Sequence, residues 1–206
     1  MCSSFISIKC PDLLKFWLKK GVQKDWYAEL RYVCGLIEVG DNVIIRLMQE
    51  SDLSEAALVH QSAFVRQRRS FEWLQCNLSA FPRYMIYVAT LDKQLDSKVV
   101  GYIIWAQKSG FRPEAVLELE QLAVLPECQG RGVAKALILE SLPLVKQQLA
   151  EQDSVLKHVL VTTRADNFAQ QLYKKTLGAE VESTISNLYS ADEVLMIARN
   201  VGDTIQ

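Results

Sequence analysis

The stretch AVLPECQGRGVAKALILESL, residues 123–142, changes character twice over a short span. It passes from an apolar, strand-like start through a proline into a turn with two glycines, and then into a run with helical periodicity. The first N–H groups of a helix lack partners within the helix, and the helix dipole makes that end positive. A bare turn of this kind is typical of an anion-binding site, and a phosphate would fit it. An ordinary strand-to-helix turn is the alternative when the glycines are taken alone.

Composition indicates a globular protein with one domain, or one domain with an extension. The chain has 206 residues, of which 50% are hydrophobic and 23% are charged. The net charge of -1 provides no general attraction to nucleic acid. We therefore expect no nucleic-acid partner.

Cysteines and histidines form no metal-binding pattern. The chain has no C-x-x-C pair, and its two histidines, His60 and His158, are far apart in sequence, so we expect no metal site. The longest apolar runs, such as VVGYIIWA from Val99, are too short to span a bilayer. The N-terminus also lacks the apolar segment of a signal peptide. We expect a cytoplasmic protein without a membrane span.

Residues 1–42 differ in pattern from the rest of the chain. Within them, residues 11–21 (PDLLKFWLKKG) place apolar side chains at helical spacing beside three lysines. This pattern predicts a short amphipathic helix, which would pack on the main domain or dock on a membrane or partner. Residues 40–42 form a predicted turn. We therefore place an N-terminal extension at 1–42 and the main domain at 43–200.

Strands and helices alternate from residue 43 onward. The runs YMIYVATL and KVVGYIIWAQ, separated by the polar DKQLDS, predict a hairpin. The run SDLSEAALVHQSAF predicts a helix opened by Asp52, with Glu55 in a capping-box-like position. Pro143 should kink or split the helix VAKALILESLPLVKQQL. The mixed order of elements predicts an α/β or α+β fold around one mostly antiparallel sheet.

The run VLELEQLAVL contains a break in strand alternation. Glu118 and Glu120 share one face, yet the apolar Leu122 and Val124 fall on the same parity. A β-bulge near Gln121 would produce this slip, and bulges occur beside active sites. A strand buried on both faces is the alternative. Carboxylates at such a place can act as a general base.

Two segments of the chain resemble the GCN5-related N-acetyltransferases (GNAT). LEQLAVLPECQGRGVAKAL is similar to the family's signature segment, whose pattern Q/R-x-x-G-x-G/A is met by Gln129, Gly132 and Ala134. ADNFAQQLYKKTLGAE resembles a second segment, in which an Asn turn precedes a helix bearing Ala, Leu-Tyr and then Gly. The resemblance covers residues 43–200 in element order. It implies a central, mostly antiparallel mixed sheet of six to seven strands flanked by helices.

The resemblance implies acetyl-coenzyme A as the co-substrate. The residues that would hold its pyrophosphate are Gln129, Gly130, Arg131, Gly132, Val133 and Ala134. The strand backbone of Leu122, Ala123 and Val124 would lie along the pantetheine arm and polarise the thioester carbonyl. Asn167 would contact the same arm. Because Asn167 and Tyr173 are six positions apart where the family has seven, Asp166 is the alternative at that position.

The resemblance also implies catalytic roles. Glu120, with Glu118 as its rival, matches the general base, and Tyr173 matches the tyrosine that protonates the departing thiolate. A residue packed on the sheet is the alternative for Tyr173. The implied activity is transfer of an acetyl group to a primary amine of a small molecule or peptide. An acyl-coenzyme A binding module without catalysis is the alternative.

The acceptor is not readable from the sequence. In the family, acceptor sites are built from stretches that correspond here to FVRQRRSFEW, KSGFRPE and SNLYSAD. The arginines at 66, 68 and 69 could receive an acidic substrate or form a solvated helix end. The resemblance also admits a homodimer.

Overall fold

The computed structural model describes residues 43–91 and 98–203. The predicted helix over residues 11–21 and the proposed extension at 1–42 lie outside the described residues. The strands are β1 (Val43–Leu47), β2 (Tyr84–Leu91), β3 (Lys98–Lys108), β4 (Glu114–Val124), β5 (Val155–Arg164), β6 (Glu180–Ile185) and β7 (Glu193–Arg199). The α-helices of the described part are α1 (Leu53–Ala63), α2 (Ser70–Ser79), α3 (Val133–Ala150) and α4 (Ala169–Leu177).

The strands form one mixed sheet in the order β1-β2-β3-β4-β5-β7-β6. Among the strands of the described residues, only the β4–β5 pair is parallel, and the neighbours β2 and β3 form the predicted hairpin. The mostly antiparallel sheet flanked by helices is therefore confirmed. None of the described helices is both long enough and apolar enough to cross a membrane.

Two buried aromatic residues of β3 show how the helices cover the sheet. Trp105 donates its indole N–H to the hydroxyl of Ser141 on α3 at 2.9 Å. Tyr102, three residues earlier, faces the other side, because alternate residues of a strand point to opposite faces. There its hydroxyl shares an acceptor with Trp73 of α2. The α3 helix thus covers one face of the sheet and α2 the other.

Pro143 does not split α3, which is continuous from Val133 to Ala150. A proline removes the hydrogen bond to the carbonyl four residues earlier, which here belongs to Leu139. Both Pro143 and Leu139 are exposed, so water can reach that carbonyl. The solvated position explains why the helix passes through the proline.

Asp52 is the N-cap residue of α1 as predicted, but neither its carboxylate nor that of Glu55 makes the predicted capping-box hydrogen bonds to this helix. The Asp52 carboxylate instead accepts two hydrogen bonds from Arg46 of β1, at 2.7 and 2.8 Å, and one from the Gln49 N–H at 2.8 Å. Glu55 accepts the backbone N–H of Val99 on β3 at 2.7 Å. Both acidic side chains therefore tie the start of α1 to the sheet rather than capping the helix.

Acid should destabilise the protein through His60, which is fully buried on α1. Its Nδ1 lies 2.9 Å from the Ser70 hydroxyl, and burial lowers its pKa to about 4 despite an opposing hydrogen bond with Gln67. The unfolded chain binds this proton near pH 6.5, before the folded protein does. The free energy of unfolding should therefore fall between about pH 6.5 and pH 4, by an amount on the order of 3 kcal/mol. Urea denaturation across this range measures the loss.

The matched variant for this prediction is His60→Gln. It keeps a polar partner for Ser70 but cannot take up a proton in this range. The acid-induced loss should shrink in the variant. If the free energy of unfolding of the variant depends on pH as that of the natural protein does, groups other than His60 cause the loss of stability in acid.

Candidate active site

A gap opens between the two parallel strands at the centre of the sheet. Registered pairing of β4 with β5 begins at their first residues and ends at Glu118 and Leu160. Both strands continue beyond this point, to Val124 on β4 and Arg164 on β5. Their carboxyl-terminal segments therefore border a gap.

The predicted β-bulge in β4 is confirmed. Ile104 of β3 pairs with Gln121, but the next residue, Trp105, pairs with Leu119, so Glu120 is the extra residue. Trp105 contacts α3, and paired residues share a face, so Leu119 faces α3 as well. The extra residue also returns Leu122 to that face, which explains the slip in alternation. Glu120 is left at the bulge without a cross-strand partner.

After the bulge, the direction of the β4 backbone can be read from one hydrogen bond. The N–H of Leu125 donates to the Val100 carbonyl of β3 at 2.9 Å. Because backbone groups of alternate residues point to opposite edges of a strand, those of Ala123 also point toward β3. The backbone groups of Leu122 and Val124 point toward the gap. Of the three predicted pantetheine contacts, Leu122 and Val124 therefore offer their backbone there and Ala123 does not.

The glycine turn lies just beyond the end of β4. The Gln129 side chain donates to the Val124 carbonyl at 3.0 Å and ties the turn to the strand. Gly130 and Gly132 have φ values of +76° and +85°, a conformation that favours glycine. A Cβ added at either position would meet no atom within 4 Å, so both glycines border open space.

The start of α3 adds unpaired donors to this turn. Gly132 is the N-cap, and the first turn of the helix has no acidic residue. The N–H groups of Val133 and Ala134 are among those that have no partner within the helix. Arg131 is exposed beside them. Open space, helix N–H groups and the positive end of the dipole together suit a phosphate.

The two candidate bases have different surroundings. Glu118 forms an ion pair with Lys108 at 2.7 Å and accepts the Thr162 hydroxyl at 3.2 Å, so its carboxylate connects neighbouring strands. Burial raises the pKa of Glu120, and the negative charge of Glu118 raises it further. Glu118 is thus held by contacts within the sheet, whereas Glu120 lies at the bulge, partly buried and with a raised pKa. Among the described residues, no group of three His, Cys, Asp or Glu side chains is placed to hold a metal ion.

The turn after β5 contains the two residues that are candidates for contacting the pantetheine arm, Asn167 and Asp166. Asn167 is buried, donates to the Thr163 hydroxyl at 2.8 Å and accepts the N–H of Ala169 at 3.0 Å. Its side chain therefore builds the turn that begins α4. Asp166 is exposed and forms a two-point ion pair with Arg164, at 2.6 and 2.8 Å. Both side chains are thus engaged in contacts within the turn.

Tyr173 lies on α4, with only 3% of its surface exposed. It belongs to the main apolar cluster, and its carbonyl accepts the N–H of Ala179 at 3.4 Å. Its burial agrees with the packing role, which is the alternative to a role as proton donor. Phe168, at the start of the same helix, is 91% exposed.

Two contacts near the site were not predicted from the sequence. Arg66, between α1 and α2, donates to the Ser190 hydroxyl between β6 and β7 at 3.1 Å, which joins two of the predicted acceptor stretches. The buried Gln121 binds Trp73 and Tyr102 through its side-chain oxygen. The polar Gln121 directly before the apolar run 122–125 was the available signal for the second contact.

Comparison with known proteins agrees with this geometry. A family model described as the acetyltransferase (GNAT) family matches residues 51–179, which is more than half of the chain. The fold and the family model together define an acetyltransferase domain. The chain belongs to the GNAT family. A search of curated proteins gave no match.

Solved structures share the fold at low sequence identity. An Arabidopsis thaliana NAA60 in complex with a bisubstrate analogue is 20% identical with a TM-score of 0.63, covering 79% of this chain and 100% of its own. The Escherichia coli ribosomal-protein-S18-alanine N-acetyltransferase is 21% identical with a TM-score of 0.58, covering 80% and 99%. A Vibrio cholerae spermidine N-acetyltransferase in complex with CoA and spermine is 18% identical with a TM-score of 0.60, covering 78% and 96%.

Proposed function

We propose that this protein is a cytoplasmic N-acetyltransferase that transfers an acetyl group from acetyl-coenzyme A to a primary amine. The observation that carries the proposal is the gap between β4 and β5, with the glycine turn and the start of α3 at one end. Family membership supports acetyl transfer. Structures of the same fold have been solved with acetyl-CoA and with CoA and spermine.

The residues present fit the proposed co-substrate. The open space beside Gly130 and Gly132 leaves room for a pyrophosphate, and the N–H groups at the start of α3 would bind its oxygens. The backbone of Leu122 and Val124 would bind the pantetheine arm as a neighbouring strand does. An N–H group in this segment would stabilise the negative charge that develops on the thioester oxygen.

Glu120 is our candidate for the base in this reaction. An alkylamine is mostly protonated at neutral pH, so a proton must leave nitrogen before or during attack. Burial raises the pKa of Glu120 toward the range of a useful base, and the proton would pass to it directly or through a water. The carbon–nitrogen bond then forms and the carbon–sulfur bond breaks. Tyr173 is the candidate that gives the proton to the departing sulfur.

The acceptor would enter between the α1–α2 segment and the β6–β7 loop, which Arg66 and Ser190 connect. Both small amines and peptides remain candidates, because the solved structures of the same fold include a spermidine and a ribosomal-protein acetyltransferase. A screen of amines, amino acids and peptides for coenzyme A release, with mass spectrometry of the products, tests the proposal. Release of coenzyme A together with an acetylated amine is the expected result. Binding of acetyl-coenzyme A without transfer to any amine would favour a binding module instead.

A further inference from the structure

Gln121 is a buried polar residue beside Glu120 at the β4 bulge. Its Oε1 accepts the indole N–H of Trp73 and the hydroxyl of Tyr102, both at 3.0 Å. Its Nε2 donates to the Oε1 of Gln67 at 3.3 Å. One amide therefore joins α2, β3 and the segment between α1 and α2.

The chemistry of its partners fixes the orientation of this amide. An indole nitrogen can only donate, so the Gln121 oxygen and not its NH₂ must face Trp73. Burial raises the pKa of Tyr102 well above its ordinary value, so the hydroxyl keeps its proton and can donate to the same oxygen. Turning the amide over would oppose donor to donor inside the protein, which is strongly unfavourable. The hydrogen bonds of the Gln121 amide are thus compatible with one orientation, in which its oxygen faces Trp73 and Tyr102.

We propose that Gln121 is a positioning residue for the candidate base Glu120. A bulge leaves its extra residue without a partner on the neighbouring strand, so strand pairing alone does not set the direction of Glu120. The amide of the next residue fastens the bulge to α2 and to the α1–α2 segment. Because Glu120 shares a peptide unit with Gln121, this anchor limits the directions that its carboxylate can take. The inference rests on the proposed role of Glu120 in acetyl transfer.

The test replaces Gln121 with Met, which has similar length but cannot make these hydrogen bonds. A gentler variant, Trp73→Phe, removes one donor and keeps an aromatic ring. Ser141→Ala is the matched control, because it removes the partner of another tryptophan N–H, that of Trp105, on the α3 face of the sheet. Two properties are compared in all variants: the titration of the Glu120 carboxyl carbon followed by NMR, and the pH dependence of kcat.

Misplacing a base should lower kcat by on the order of 10-fold to 100-fold in Gln121→Met. The Glu120 titration and the acid limb of kcat should move together, while the affinity for acetyl-coenzyme A stays unchanged. Trp73→Phe should change both properties in the same direction by less. Ser141→Ala should lower the melting temperature without moving either property.

Wild-type titration and a wild-type acid limb in Gln121→Met would overturn the inference and leave Gln121 a purely structural residue. If that variant does not fold, the same two properties measured in Trp73→Phe decide between the positioning role and the structural one. The NMR titration needs no turnover. A protein that acetylates no amine would therefore refute the proposed function, whereas an unmoved Glu120 titration refutes the positioning role.

Discussion

Glu120→Gln should lower turnover by on the order of 10² to 10⁴ while barely changing the affinity for acetyl-coenzyme A. The amide cannot take a proton from the attacking amine, yet it keeps the size of the side chain. In the natural protein, turnover should fall with acid as pH passes through the raised pKa of Glu120, because only the carboxylate acts as a base. The variant should lose this acid limb. Steady-state kinetics across pH, with calorimetry for acetyl-coenzyme A, measures both effects.

Glu118→Gln is the matched control for this experiment. It makes the same chemical change two residues earlier, where the carboxylate is bound by Lys108 and Thr162. We expect it to weaken that connection between strands and to keep the acid limb. Loss of the limb in Glu118→Gln alone would transfer the role of base to Glu118.

Tyr173→Phe tests the proposed protonation of the departing sulfur in the same assay. It keeps the buried ring and removes only the hydroxyl. Turnover equal to that of the natural protein from neutral to alkaline pH would leave Tyr173 as a packing residue, as its burial on α4 also allows.

Gly132→Asp should abolish detectable binding of acetyl-coenzyme A. The new side chain would enter the open space proposed for the pyrophosphate and bring a negative charge to it. The φ of +85° at Gly132 strains any side chain, so the fold of the variant is checked by circular dichroism before its affinity is measured. Calorimetry on the folded variant measures the affinity.

The control separates charge at the phosphates from backbone strain. Gly110 has nearly the same φ, +82° against +85°, and also borders open space. Gly110→Asp therefore also places a side chain at a positive φ, in the loop between β3 and β4. It should bind acetyl-coenzyme A normally. Unchanged affinity in a folded Gly132→Asp protein would refute the pyrophosphate site at this turn.

Local patterns predicted the parts of the fold that depend on neighbouring residues. The slip in alternation around Glu120 located the bulge, because side chains of a strand alternate with a period of two. The glycine turn at Gly132 was likewise predicted from residues that are contiguous in sequence. The final arrangement of β4 and β5 was not readable, since nothing in either strand marks Glu118 and Leu160 as the end of their pairing.

Interactions between distant residues escaped prediction for the same reason. Asp52 and Glu55 have the spacing of a capping box, but their stronger partners, Arg46 and the Val99 N–H, come from strands that the spacing does not reveal. The partners of Gln121 likewise come from three separate elements. The resemblance to an acetyltransferase could be recognised in the sequence because each motif is a contiguous segment. The choice of acceptor could not be predicted, because it depends on how loops that are distant in sequence meet.

Because the pairing of β4 and β5 is interrupted, the proposed co-substrate would also contribute to the structure of the sheet. The registered pairing between the two described strands comprises five residue pairs, and it also joins the antiparallel group β1–β4 to the group β5–β7. A pantetheine arm bound in the gap would contribute hydrogen bonds to the β4 backbone beyond the last registered pair, Glu118 and Leu160. It would act as a short inserted strand and couple the two groups more tightly. Loading of the donor would thereby stiffen the surface on which the acceptor is received.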